Sequence, residues 1–313
     1  MCPNHNRPLG LIYLAVVSWT VQAATASAAD AGAGLASAPP EVSFVAPRGL
    51  EMAQTSSADA IAPWSWQIRP RGFVYDTYWA GAAEPRLGTQ LVDESDGGPF
   101  LDSQVGGRVG MLRYGPADRP EGFQVDVLGG AKLRQDWDGN LDVLATDYRY
   151  DILGTYGAGP HRWKFGFYHI SSHVGDEFLL RNRQFQRLNY SRDTLVAGYS
   201  YYPLPCVRLY AEMGWAFDHD VSQPWHFQFG IDCGPRQPTG LHGAPFFAAN
   251  VHLREELDFG GNLAVQAGWA WRGDDPLDGL LRTGLYFYEG GSPHFSFYAE
   301  HERQLGWGLW YDY

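Results

Sequence analysis

Between positions 163 and 177 the chain reads WKFGFYHISSHVGDE, and every second residue gives Trp163, Phe165, Phe167, His169, Ser171 and His173. The positions between them are Lys164, Gly166, Tyr168, Ile170 and Ser172. Two-residue alternation is the period of an extended strand, whose successive side chains point to opposite faces. One face is therefore an aromatic row that turns polar only at its end, as His-x-Ser-x-His. In a water-soluble strand such a row would be core. It also suits a strand whose apolar face meets lipid and whose end reaches the membrane–water interface.

The same period recurs from residue 86 onward. It predicts strands near 87–93, 104–114, 123–134, 143–156, 162–173, 194–202, 207–217, 225–232, 246–257, 263–272, 280–289 and from 295 to the end. Turn-forming sequence separates them, as in Asp138-Gly139-Asn140, Gly159-Pro160, Gly260-Gly261 and Ser292-Pro293. One face of the seventh strand is Leu209, Ala211, Met213, Trp215 and Phe217, and the other is Arg208, Tyr210, Glu212 and Gly214. The eighth sets Trp225, Phe227, Phe229 and Ile231 against His226, Gln228, Gly230 and Asp232. A soluble sandwich would read the apolar face as core. The mixed face of Arg, Glu, Asp, His, Gly and Tyr, with Trp and Tyr near strand ends, is instead the interior of a barrel with interfacial girdles. The fold predicted is all-β, an antiparallel up-and-down transmembrane β-barrel of about 12 strands over residues 64–313.

Composition agrees: charged residues are 19 % of the chain and aromatics 15 %, against a usual charged share of about 25 %. The net charge of −12 comes with no basic cluster to track a phosphate backbone, which argues against nucleic-acid binding. Residues 1–28 read as a cleaved signal peptide: Arg7 precedes an apolar run over 9–21, and Ala26-Ser27-Ala28 offers small residues for cleavage. Residues 29–63, rich in Ala and Pro, read as a disordered lead-in. No later window approaches the roughly 18 apolar residues of a helical span. The location expected is the bacterial outer membrane, reached through the inner membrane.

With both termini periplasmic, odd strands run outward and the His169–Ser171–His173 face lies at the outer end of the fifth. Residues 174–193 then form the longest external loop. Cys206 and Cys233 fall at the periplasmic rim one hairpin apart, and the spacing leaves both a bridge and two free thiols open. A barrel of this size is narrow and its interior side chains can fill it, so the role expected is structural or that of a narrow channel, not of a wide pore.

Three stretches carry a family resemblance. Ala80-Gly81-x-x-Glu84-Pro85-Arg86, the run from Tyr168 to Glu177, and the ending Gly306-x-Gly308-x-Trp310-Tyr311-Asp312-Tyr313 resemble a family of uncharacterised bacterial secreted proteins, domain of unknown function 1207. The resemblance would cover residues 66–313 and implies no activity. Alternation up to a final aromatic, through Leu305, Trp307, Leu309, Tyr311 and Tyr313, resembles the signal read by the barrel-assembly machinery. Tyr311 and Tyr313 make that machinery an expected partner, alongside outer-membrane lipids.

His169-x-Ser171 also resembles, more distantly, the His and Ser of outer-membrane phospholipase A and lipid A deacylases. It departs from their pattern in having Ser172 after the serine. Two residues apart on a strand, the side chains share a face about 7 Å apart. The imidazole would take the hydroxyl proton as Ser171 attacks an acyl ester, with Asp147, Asp151 or Asp193 orienting the ring. The competing reading makes both residues polar groups at the interface. A third uses His169, His173, Asp176 or Glu177 as metal ligands. No cofactor is required, and Ca²⁺ at Asp176 and Glu177 is the one ion considered.

Overall fold

The computed structural model describes residues 62–95 and 97–313, and within them the alternation becomes thirteen strands. They are β1 (Ser65–Ile68), β2 (Leu87–Glu94), β3 (Gly98–Gly115), β4 (Gly122–Asp136), β5 (Asp142–Ala158), β6 (His161–Val174), β7 (Tyr190–Leu204), β8 (Val207–Asp220), β9 (Trp225–Cys233), β10 (Ala244–Arg254), β11 (Gly261–Arg272), β12 (Leu280–Gly291) and β13 (His301–Asp312). One short helix, α1 (Asp176–Arg181), interrupts the β6–β7 connection. The predicted signal peptide and nearly all of the lead-in lie outside the described residues.

Strands β2 to β13 pair antiparallel in chain order, and β13 returns to β2 from Gln304↔Glu94 to Tyr311↔Leu87. The ring is closed, so no strand of it leaves an unpaired edge. β1 is the exception to the count: it adds onto the last residues of β3, from Ser65↔Gly115 to Ile68↔Leu112, beyond the reach of β2. The barrel is the predicted one, with boundaries moved: β3 begins at Gly98, not 104, and β7 at Tyr190, not 194, which shortens the connection expected over 174–193. The expected strand 246–257 stops at Arg254 and passes into a single 3₁₀ turn, Glu255–Leu257. The last strand begins at His301, not 295, because Pro293 has no N–H for a ladder and Phe295, Ser296 and Phe297 are folded inward.

The distribution of side chains is inverted relative to a protein dissolved in water. On β8, Leu209, Met213, Trp215 and Phe217 are 43, 45, 42 and 50 % exposed, while Arg208 and Glu212 on the other parity are 0 and 5 % exposed. Arg86, Arg113, Arg208, Arg254 and Arg282 are each 0–1 % exposed. The polar face is the packed one.

What it packs against is the chain itself. Residues 69–86 run through the lumen between β1 and β2, with Val74, Tyr75, Tyr78, Trp79, Ala80, Glu84 and Arg86 all buried. A segment outside any ladder has backbone carbonyls to satisfy, and the wall arginines donate to them. Arg113 reaches the carbonyls of Arg71 (2.9 Å) and Gly72 (2.7 Å), Arg108 that of Tyr75 (2.5 Å), and Arg208 those of Asp76 and Thr77 (both 2.8 Å). Guanidinium, with five donors in a fixed fork, is the group suited to hold two carbonyls at once.

A second inward segment, residues 292–300, descends from the opposite end. Phe295 stacks on Tyr190 with centroids 4.9 Å apart, Ser296 Oγ lies 2.7 Å from Ser172 Oγ, and Lys132 donates to the Pro293 carbonyl at 3.1 Å. The two segments meet around Arg149, which donates to the Ala83 carbonyl (3.1 Å) and lies 3.8 Å from Glu84. A small cavity of about 30 Å³ remains between them, lined by Ala83, Glu84, Pro293 and Phe295.

Candidate functional site

β6 carries Trp163, Phe165, Phe167, His169, Ser171 and His173 on its outward face, and Lys164, Tyr168, Ile170, Ser172 and Val174 are buried toward the lumen. At its loop end, register sets His169 opposite Asp193 of β7 and Tyr150 of β5. His169 Nδ1 lies 2.6 Å from Asp193 Oδ1, and the Tyr150 ring stacks on the imidazole, centroids 5.1 Å apart at 23°. A carboxylate accepts, so Nδ1 is the donor. Both side chains are partly open, 26 and 29 % exposed.

Ser171 is paired elsewhere. Its Oγ lies 3.1 Å from His173 Nε2, and His173 Nδ1 lies 2.9 Å from a guanidinium nitrogen of Arg187, in the β6–β7 connection. A guanidinium only donates, so Nδ1 is the acceptor and the ring proton sits on Nε2, directed at Ser171 Oγ. In this tautomer the ring has no lone pair toward Ser171 with which to take its proton. His169 and Asp193 are thus brought together; Ser171 is joined to His173 and not to His169.

The other two orienting candidates point the other way. Asp147 is buried in the lumen against the Ser172 hydroxyl and lies 3.1 Å from His294 Nδ1. Asp151 pairs with Arg149 at 2.6 Å. Asp176 and Glu177 stand in the first turn of α1. Among the described residues no group of three or more His, Cys, Asp or Glu side chains is placed to hold a metal ion.

The densest polar chemistry is inside, on the face the alternation assigns to the interior, in pairings that no local pattern specifies. Glu212 accepts from Tyr78 (2.9 Å) and Gln228 (2.9 Å), pairs with the Lys164 ammonium, and lies 3.6 Å from His226 Nε2. Arg134 joins Asp102 and Glu302, each at 2.8 Å, and Arg282 lies 2.7 Å from Asp312. His294 sits between Asp102 (3.5 Å) and Asp147 (3.1 Å). The only signal of this in the sequence is that Arg, Lys, Glu and Asp occupy the inner parity of nearly every strand.

The model of the family described as "Protein of unknown function (DUF1207)" matches residues 116–313. That span takes in β4 to β13 and stops short of the lumen segment 69–86. No curated protein matches the chain. Outer membrane phospholipase A from Escherichia coli is similar in fold, with a TM-score of 0.50 and 9 % identity over 72 % of this chain and 92 % of that one. A mutant of the Rh. blastica porin aligns with a TM-score of 0.31 and 9 % identity, over 72 % of this chain and 97 % of the porin.

Proposed function

The chain belongs to the DUF1207 family of proteins of unknown function, and we propose that it is an integral barrel of the bacterial outer membrane whose role is structural, its lumen closed by its own chain. The observation that carries this reading is the inverted wall: a belt of exposed aliphatic and aromatic side chains outside, fully buried arginines within. Exposed Val105, Phe165, Leu285, Leu305 and Trp307 are 55–64 % open, and apolar surface continuous around a barrel is stable where the surroundings are hydrocarbon. The sequence adds the signal peptide and the C-terminal aromatic alternation ending in Tyr311 and Tyr313, which suits insertion by the barrel-assembly machinery.

The filled lumen supports a structural role over that of a channel. Residues 69–86 enter from the end that holds the start of β2 and the end of β13, residues 292–300 from the other, and the two meet at Arg149. Each segment is held by buried charged groups, so removing either exposes unpaired charge. Refolded protein should fractionate with membranes, resist alkaline extraction and show no conductance step in planar bilayers. Recovery as a soluble protein would remove the membrane reading, and a reproducible single-channel step would replace the structural role with the narrow channel.

A further inference from the structure

Cys206 and Cys233 are the two thiols among the described residues, and both are free. Cys206 is exposed, in the tight turn joining β7 to β8, and Cys233 is half-buried as the last residue of β9. Register places Val207 opposite Cys233, and the Gly234 N–H donates to the Cys206 carbonyl at 2.9 Å. The two cysteines therefore stand one step apart on adjoining backbone of the β7–β8 turn and the end of β9.

We propose that Cys206 and Cys233 close to a disulfide, and that this bond is the clasp of the lumen segment. The inference rests on the outer-membrane reading, since export would bring the thiols into an oxidising compartment. Three residues beyond Cys233, the Arg236 guanidinium pairs with Asp76 of the lumen segment and lies 4.6 Å from the centre of the Tyr202 ring. Two residues beyond Cys206, Arg208 donates to the Asp76 and Thr77 carbonyls. Tyr202 itself donates to Asp76 at 2.9 Å. The same stretch, Asp76-Thr77, is thus gripped from the β7–β8 hairpin and from the start of the β9–β10 connection, and the sulfur bridge joins those two supports.

The chemistry is thiol–disulfide exchange with a protein thiol oxidase. The exposed Cys206 thiolate attacks the oxidase disulfide to give a mixed disulfide, and the Cys233 thiolate displaces the oxidase sulfur. One S–S bond forms in this chain and one breaks in the oxidase, which leaves as the dithiol with the two electrons. The two protons lost by the cysteines balance the two it gains.

The test is made on the full chain expressed in bacteria, with thiols trapped in acid, alkylated under denaturing conditions and mapped by mass spectrometry after fractionation. The expected result is one peptide pair joined through Cys206 and Cys233, lighter by two hydrogens than the sum of its parts. Both cysteines alkylated in protein from the outer-membrane fraction would overturn the disulfide and leave the location standing. Reduced chain recovered from the cytosol would overturn the location, and the disulfide with it. For the clasp, amide hydrogen exchange of residues 73–79 should quicken by about tenfold or more on reduction of the folded wild type, and should not respond to reductant in a Cys206→Ser/Cys233→Ser variant. Equal exchange before and after reduction of the wild type would overturn the link to the lumen segment.

Discussion

The Tyr78 hydroxyl, on the segment threaded through the lumen, donates a 2.9 Å hydrogen bond to Glu212 Oε2 on β8. The Tyr78 ring stacks on Tyr210 of the same strand, centroids 4.0 Å apart, and the Lys164 ammonium lies 4.4 Å from the centre of its ring. One carboxylate therefore satisfies the lumen segment and the buried Lys164 together. Glu212→Ala leaves that ammonium without its anion, and the expected cost is about 3–5 kcal/mol. Tyr78→Phe keeps the stack and drops two hydrogen bonds, the one to Glu212 and the one accepted from the Tyr75 hydroxyl at 2.9 Å, at about 1–3 kcal/mol. Denaturant unfolding of refolded protein reads both, and a Glu212→Ala barrel as stable as wild type would show that Glu212 does not hold the lumen together.

On the outer wall the hydroxyl of Ser171 faces a ring nitrogen that carries a proton. Wild type and Ser171→Ala should therefore be equally inactive on a labelled phospholipid or lipid A, with and without Ca²⁺. Hydrolysis by the wild type that is lost in Ser171→Ala would make the His169–Asp193 pair part of an esterase, with Ser171 turning from His173 to His169 in the working state. His169→Ala would then be as inactive as the serine variant.

The barrel was legible because a wall strand is one-sided: Leu209 and Met213 against Arg208 and Glu212 state which face is packed before any partner is known. The lumen segment was not. Phe73, Tyr75, Thr77 and Trp79 alternate as a strand would, but their neighbours are Arg108, Arg208 and Arg282, brought together only when the ring closes. No local period records that closure. At the candidate site, Asp193 could be reached by counting strands. Which histidine takes Ser171 could not: His169 and His173 are equally spaced from it on the same face, and the choice falls to Arg187 from the long connection and to Asp193 and Tyr150 on either side of His169.

Asp76 gives the lumen segment a defined response to acid. Burial alone would raise its pKa, but the Arg236, Arg208 and Arg272 guanidiniums hold the carboxyl well below its ordinary value of 3.8. For a depressed carboxylate the stabilisation is complete above the unfolded value and is lost as pH falls through the folded one. Protease resistance of residues 69–86 in the folded barrel should therefore stay level from neutral pH down to about 4 and fall only below it. Asp76→Asn should lower resistance at neutral pH and remove the fall. A wild-type transition centred above pH 5 would assign the acid response to some other group.

Gly214 and Gly154 make a matched pair of opposite outcome. Gly214 faces the lumen directly across from His226, and a Cβ added there would fall on the imidazole ring. That ring cannot give way freely: Nδ1 is 3.2 Å from Arg192 and 3.4 Å from the Tyr168 hydroxyl, and Nε2 faces Glu212. Gly214→Ala should therefore cost about 1–3 kcal/mol, as overpacking of a filled interior does. Gly154 faces outward on β5, and its added Cβ meets nothing nearer than the Phe165 carbonyl at 3.6 Å. Gly154→Ala should be neutral or slightly stabilising, since alanine gives up less chain entropy on folding than glycine. The two variants compared by denaturant unfolding test the inward and outward assignment of the wall directly. Equal destabilisation at both sites, or a larger loss at Gly154, would contradict it.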